Sequence, residues 1–366
     1  MANVEAFKAL PSLAPPPSVR PNLLRDLVRT YFGSPLNVVL TLISVWLIYT
    51  MVPPFISWAF INATWTGDAQ ACRANGGACW SFIREKFAFS VFGLYTFEER
   101  WRPLAMLLIF ATMVIVSMFK IAWRRELLYA WLLAFVAMYI LMLGGVFGLP
   151  LVETRLWGGW PVTVWISVVG LLFAFPISIL LALGRRSKLP VIKYVSIFWI
   201  EFVRGVPLIS ILFMAAIIVP LFLPGGVSID RLVRAQIAFT MFASAYLAEV
   251  VRGGLQAIPR GQYEAADALG LSYGKKMAFI VLPQALKITI PAQVNTFIGL
   301  FKDTTLVLVI GIFDFFTTLR AALGDQNWLG FATEAYVYAA SVYFIFCFAI
   351  SRYSLWLEKD LERGHR

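Results

Sequence analysis

Histidine is nearly missing from this chain. One occurs in 366 residues, His365, next to last. The chain therefore offers no histidine-ligated metal centre and no acid–base triad. No other metal or nucleophile constellation stands in, so the sequence holds no catalytic residue, no metal site and no resident cofactor, which speaks against an enzyme. Charge is scarce as well. Charged residues make up 14% of the chain, where soluble domains carry about 25%. There is also no G-x-x-x-x-G-K-[ST] phosphate loop; the glycine-bearing GLSYGKK has the wrong spacing. If the chain serves a process driven by ATP, ATP and Mg must bind on another polypeptide.

Cysteine is rare too, with three in all. Cys347 falls in an apolar run and reads as a small buried apolar residue. Cys72 and Cys79 share the stretch CRANGGAC. In an oxidising compartment a local disulfide between them is plausible, and two free thiols are the alternative.

What the chain has in abundance is apolar sequence, 60% of all residues. It comes in runs long enough to cross ~30 Å of hydrocarbon, which takes about 20 residues as a helix. Eight runs qualify: 36–60, 103–122, 127–148, 160–183, 195–223, 235–252, 288–313 and 335–356. The expected fold is all-α and multi-pass, with about eight transmembrane helices in a lipid bilayer. The first run is too long for the 7–15-residue core of a removable signal, so it reads as a span. The tail before it carries Pro11, Pro15, Pro16, Pro17 and Pro21 and is expected to lack structure up to the Arg25–Arg29 segment.

The net charge of +11 could suggest nucleic acid. The distribution argues otherwise. With the N-terminus inside, the internal segments hold 20 Lys and Arg and the external ones 9. The excess is topology, as Lys and Arg collect on cytoplasmic loops. No nucleic-acid partner is expected, and both termini come out cytoplasmic. The expected divisions are a tail (1–35), three spans with an external loop at 61–102 (36–158), five further spans (159–357) and a second tail (358–366). Loop 61–102 holds Trp65, Trp80, Phe82, Phe87, Phe89 and Phe92. Such residues favour the membrane interface, so the loop is expected to rest on head groups.

Two features break the apolar pattern. Gly205 and Pro207 interrupt the fifth run, just after Glu201 and Arg204. Proline cannot donate a backbone hydrogen bond, so a helix over 191–204 should stop there and the span proper begin near Pro207. Glu201 and Arg204 are spaced to pair on one helix face. The second feature is the polar segment 253–287. Gln262 to Leu269 favours helix, Gly270 can close it in the left-handed conformation, and Ser272 can cap a second helix. Pro283 then permits a turn into the membrane.

Glu264-Ala265-Ala266, three residues, Gly270, nine residues, then Ile280-x-Leu282-Pro283 resembles the EAA motif of ATP-binding-cassette importer permeases. The resemblance continues in Tyr246-Leu-Ala-Glu249, Arg252-Gly253-Gly254, Glu201-Phe-Val-Arg204-Gly-Val-Pro207 and Phe301-Lys302-Asp303-Thr304-Thr305. These look like the polar-amino-acid, histidine/glutamine-type (HisM-like) branch over about 160–357. Val206 stands where the branch more often has Thr, and Thr305 where it more often has Ser. The three extra spans and GACW, Gly77 to Trp80, resemble the longer permease subunit of general L-amino-acid importers, the Aap/Bzt type.

The resemblance implies a five-helix type I (MetI-like) permease core. It implies an ABC ATPase partner gripped through Gln262, Glu264, Ala265, Ala266, Gly270, Leu282 and Pro283. It also implies a second permease subunit in a heterodimer, a periplasmic amino-acid-binding protein and an L-amino acid substrate moved by alternating access. A self-sufficient carrier or channel driven by an ion gradient is the rival reading.

Lys302 and Asp303 lie within the seventh run. Each charge there costs on the order of 2.5–3.5 kcal/mol on insertion scales. Neighbours on a helix point about 100° apart, so the pair needs outside partners. A zwitterionic amino acid supplies both charges; Glu249 and Arg252 are the internal alternative. Asn295, Thr304 and Thr305 could line the same path or bond between helices. Glu201, Arg204 and Glu249 are read as a gate or an interface.

Overall fold

The computed structural model describes residues 23–363. It forms two compact units, Met1–Ala78 and Cys79–Arg366. The proline-rich tail lies outside the described residues.

In the first unit, α1 (Leu23–Phe32) leads to α2 (Pro35–Ile56). Ser34 caps α2, its hydroxyl accepting from the Asn37 amide at 3.2 Å, and Pro35 sits in the first turn, where its missing N–H costs nothing. Asn37 and Thr41 donate to Thr30 and Tyr31 carbonyls, fastening α2 to α1. The apolar helix runs 27 residues to Ile61. Pro53 and Pro54 lie inside it, and the last turn widens into a π-helix over Ser57–Ile61. The unit ends with α3 (Ala69–Asn75).

The second unit opens with α4 (Trp80–Phe92), α5 (Trp101–Met118) and α6 (Arg125–Leu143). Next are α7 (Gly159–Arg185), α8 (Pro190–Gly205), α9 (Leu208–Phe213), α10 (Val219–Leu221) and α11 (Arg231–Ala257). The polar segment forms α12 (Arg260–Ala268), α13 (Tyr273–Lys276) and α14 (Leu282–Ile288). The unit closes with α15 (Ile290–Asp303), α16 (Phe315–Ala322) and α17 (Ala332–Arg363). Helix α17 therefore takes in much of the segment read as a C-terminal tail.

Among the described residues six helices are long and apolar enough to cross a membrane. A seventh span is the pair Pro190–Gly205 and Leu208–Leu221, bent by 100°. The break falls at Val206-Pro207, as the proline predicts. The eighth expected span lies in α11. At 27 residues and about 1.5 Å per residue it is long enough. Its apolarity is low because the buried face is built from small residues, among them Ala235, Ala238, Ala243, Ala245 and Ala248. Those alanines let α11 approach α7 closely, and this is the most extensive helix pair of the unit. The main core lies around it, with Ile166, Phe239, Leu212 and Val307 buried.

Among the described residues the fold is all-α apart from one short pairing, in which Gly158-Gly159 bridges Phe313-Asp314 in parallel. Gly159 has a φ of +68°, and a Cβ there would lie 2.0 Å from the Val91 carbonyl oxygen. Only glycine fits that crossing.

Not all aromatics of segment 80–92 face outward. Helix α4 packs on α16 and α17. Phe82 is fully buried, with ring centroids 5.8 Å from Trp328 and 6.3 Å from Phe331. Glu334 accepts the Cys79 amide at 3.1 Å, and Trp328 donates to Glu85 at 3.2 Å. Trp65 and Phe87 do remain exposed. Lys86 meets Asp325 at 2.5 Å, and that hydrogen bond holds the Asp325 carboxyl below its ordinary range. A lowered folded value means the stabilisation is present above the unfolded value of ~4 and is lost as pH falls through the folded one. Acidification should therefore loosen α4. Hydrogen exchange, corrected for intrinsic rate, should show α4 protection falling in acid. In Asp325→Asn that protection should be low already at neutral pH and lack the acid step; an unchanged profile would refute the clamp.

Arg102, counted above only as a loop charge, is fully buried. It donates to the Leu141 carbonyl at 2.6 Å and the Pro150 carbonyl at 2.8 Å, with Glu99 at 3.4 Å. It thus pins the start of α5 to the end of α6. Arg102→Met keeps the stem but strands a carboxylate and two carbonyls. Breaking such a buried pair costs about 3–5 kcal/mol. The melting temperature of the purified protein should drop markedly; a melt within a degree of wild type would reject the assignment.

Candidate functional site

The polar segment is built as a rigid bracket. Helix α12 ends at Ala268, and Gly270 follows with a φ of +69°. Nothing lies within 4 Å of a Cβ built there, so the conformation, not space, calls for glycine. Asp267 and Lys276 close the turn with a 2.5 Å ion pair, and Gln284 donates to Gln262 at 3.0 Å. Ala266 is buried beneath α12. Tyr263 donates to the Leu255 carbonyl at 3.1 Å, and Arg186 donates to that carbonyl at 2.7 Å and lies over the Tyr263 ring. Below, Val251, Leu255, Met277, Val281 and Ala285 form a small separate core, with Leu282 partly buried against it. The outward face of α12 carries Glu264, Ala265, Ala268 and Leu269, all exposed. Among the described residues Glu264 forms no ion pair.

Two expectations need correction. Ser272 occupies the cap position of α13, but its side chain makes no capping bond. Pro283 does not turn the chain into the membrane. It sits in the first turn of α14, which continues to Ile288. The preceding turn, Met277–Val281, is a π-helix, with Leu282 N–H donating to the Met277 carbonyl. That wider turn accommodates a proline ring that would clash with a regular α-turn. The break comes at Thr289, before Pro291 in the first turn of α15.

A cluster of charges lies where α7, α8 and α11 converge. Glu201 and Arg204 do not pair along α8 as their spacing suggested. Glu201 takes Arg185 at 2.7 Å instead. Glu249 gathers Arg252 in a two-nitrogen contact at 2.7 and 2.9 Å, Arg185 at 2.8 Å and Arg204 at 3.9 Å. Arg204 stacks over Tyr246 at 5.4 Å. The rearrangement follows from Arg185, which ends α7 between the two glutamates and bonds both. Sequence reading missed it because it stood in the basic run Arg185-Arg186 and was counted as topology.

Glu249 and Arg252 are thus committed to each other, and the internal partners considered for Lys302 and Asp303 are taken. Lys302 is exposed and Asp303 half-buried. Neither forms an ion pair among the described residues. The backbone changes character at this point: α15 ends at Asp303 and a 3₁₀ stretch runs over Thr304–Ile310. Asn295 is exposed two turns before Lys302, on the same helix face. Thr304 is buried and donates to the Phe301 carbonyl at 2.8 Å, while Thr305 donates to Lys302 at 3.0 Å. Cys72 and Cys79 are buried and disulfide-bonded; Cys347 is a free, half-buried thiol.

Residues 174–363 match the family model described as binding-protein-dependent transport system inner membrane component. The chain is 47% identical over 355 residues to the inner membrane amino-acid ABC transporter permease protein YhdY of Escherichia coli strain K12, covering 96% of this chain and 97% of that one. It is 35% identical to the glutamate/glutamine/aspartate/asparagine transport system permease protein BztC of Rhodobacter capsulatus, over 96% of each chain. The L-cystine transport system permease protein TcyB of Bacillus subtilis is 32% identical, with 95% of its length matching 61% of this chain. The chain belongs to the family of binding-protein-dependent transport system inner membrane components and is a membrane-spanning permease of the ABC type.

Proposed function

We propose that this chain is one of two permease subunits of an ATP-driven importer that moves L-amino acids from periplasm to cytoplasm. The observation that carries the reading is the α12 bracket. It presents an unpaired Glu264 beside two alanines on a helix held rigidly to α7, α11 and α14. A free charge on a small-residue face suits a groove in another protein, and the rigid mounting lets a push on α12 reach the spans. The chain has no phosphate loop, so a separate ATPase subunit binds ATP and Mg and delivers that push. A second permease completes a heterodimer, and an external binding protein delivers the amino acid.

The bracket faces the cytoplasm, as do both termini. The charge count supports this, and so do contacts that gather the basic segments at one end. Lys120, between α5 and α6, pairs with Asp360 near the end of α17, and Arg186 meets the end of α11. Residues 159–357 form the permease core and 36–158 an added three-span extension. The match to TcyB, nearly complete for that shorter protein, fits this division.

Purification from native membranes tests the assembly. An ATPase, a second permease and substrate-stimulated ATP hydrolysis are the expected results. A chain that purifies alone and carries amino acids into liposomes without ATP would sink the reading.

A further inference from the structure

A cavity of about 850 Å³ opens between α6, α7 and α11, away from the bracket and from Lys302. Its floor is made by two matched rows. Val169, Phe173 and Ile177 descend α7, and Val233, Ile237 and Met241 descend α11. Each row is spaced i, i+4, i+8, so each runs along its helix for about 12 Å. Four of these six side chains are well exposed, Ile237 at 51% and Phe173 at 56%. The trough is therefore open along its length and mostly apolar there, with Gln236 and Thr240 of α11 its polar members.

Its upper end is different. Trp157, Trp165 and Tyr139 pack together at ring separations of 5.7–6.4 Å. Tryptophan and tyrosine collect at the level of lipid head groups. Above them the rim carries Glu153, Thr154, Arg155 and Asp230. Asp230 is occupied, capping α11 and accepting from Thr154 at 2.5 Å. Among the described residues Glu153 and Arg155 are held only by each other. They form a 2.6 Å pair with side chains 56% and 77% exposed. Such a pair is worth only about 0.2–1 kcal/mol, so it exchanges readily for two equivalent pairs.

We infer that this cavity is a binding site for one phospholipid whose head group bears both a phosphate and a primary ammonium. Arg155 takes the phosphate and Glu153 the ammonium, with no net change in charge. One acyl chain lies in the trough between the two rows. The aromatic trio sits at the ester level, where the lipid turns from polar to apolar. Charge order and apolar depth together select this occupant: a free amino acid satisfies the rim but leaves the trough bare, and a transmembrane helix of another subunit fills the trough but not a zwitterionic rim.

The test uses the full chain with its accompanying subunits, in nanodiscs holding phosphatidylethanolamine, phosphatidylglycerol and phosphatidylcholine in equal parts. After a mild detergent wash the retained lipid is quantified by mass spectrometry. Wild type should keep phosphatidylethanolamine above its share of the disc. Ile237→Trp fills the trough from an exposed position and should abolish retention; Val233→Trp does the same one turn higher, should the first variant fold poorly. Glu153→Gln and Arg155→Gln should each cut the head-group preference by about two- to fivefold, with retention of total lipid largely kept. Retained lipid that mirrors the disc composition, or equal retention in the tryptophan variants, overturns the site. So does a cross-link from Ile237→Cys to another protein chain, which would make the trough a subunit contact.

Discussion

Glu264→Arg should separate the permease from its ATPase. Glu264 is exposed on α12, and none of the bonds that hold the bracket involves it. Those bonds run through Tyr263, Asp267 and Gln262. Reversing its charge leaves the helix, the Gly270 turn and the small core beneath intact, so the permease should purify with unchanged yield and melting temperature. What changes is the outward face. Removing one partner of a desolvated interface charge pair costs 2–5 kcal/mol, and reversal adds like-charge repulsion. That predicts a loss of affinity on the order of 100-fold. Pull-down of the ATPase measures it directly. Charge exchange sharpens the test, because a compensating acidic residue on the ATPase should restore binding to Glu264→Arg while weakening binding to wild type. If Glu264→Arg still brings down a full complement of ATPase, the coupling role belongs elsewhere on the chain.

The parts of this argument were unequally visible in the sequence. The α12 turn was legible because Gly270 needs a backbone conformation that few other residues adopt, and such local rules survive in any tertiary setting. The break at Val206-Pro207 was legible for the same reason. Pro283 misled because a proline states only that an α-turn is obstructed. Whether the chain bends or widens by one residue depends on what packs around it, here the core of Val251, Leu255 and Ala285. The Glu201–Arg204 pairing failed in another way. Spacing on one helix identifies which residues can meet, but Arg185 reached both glutamates from a different helix. Arg102 left no sequence signal at all: it stood at the edge of an apolar run, where arginine is ordinary, and only the closure of α5 on α6 made it internal. Span counting from apolarity agrees with six long apolar helices and the bent pair, and its run 235–252 falls in α11, whose alanines serve close helix packing.

The unpaired state of Lys302 and Asp303 sets up the second large effect, an expected split between stability and transport. A charge satisfied inside the protein destabilises it when removed, because its partner is left stranded. A charge without an internal partner carries its insertion cost uncompensated, on the order of 2.5–3.5 kcal/mol on insertion scales. Neutralising it should leave the fold as stable as before or more so. Glu249 and Arg252, the internal partners considered from the sequence, are bonded to each other, and neither membrane charge forms an ion pair among the described residues, which places both in the second class. Lys302→Met and Asp303→Asn should therefore melt at or above the wild-type temperature and keep basal ATP hydrolysis. Transport and substrate-stimulated hydrolysis should fall by at least about tenfold, the worth of one charge-assisted hydrogen bond of ~1.5–3 kcal/mol. The two variants should also differ in kind. We propose that Lys302 meets the substrate carboxylate and Asp303 its ammonium. On that proposal Lys302→Met should transport decarboxylated amines no worse than wild type does, and Asp303→Asn should be equally indifferent to N-acetylated amino acids. Lys302→Arg should recover part of the activity, since the charge is kept while the geometry changes. The opposite pattern, a lowered melting temperature with transport and stimulation intact, would show that both charges serve the packing of α15 against a partner subunit and do not touch the amino acid.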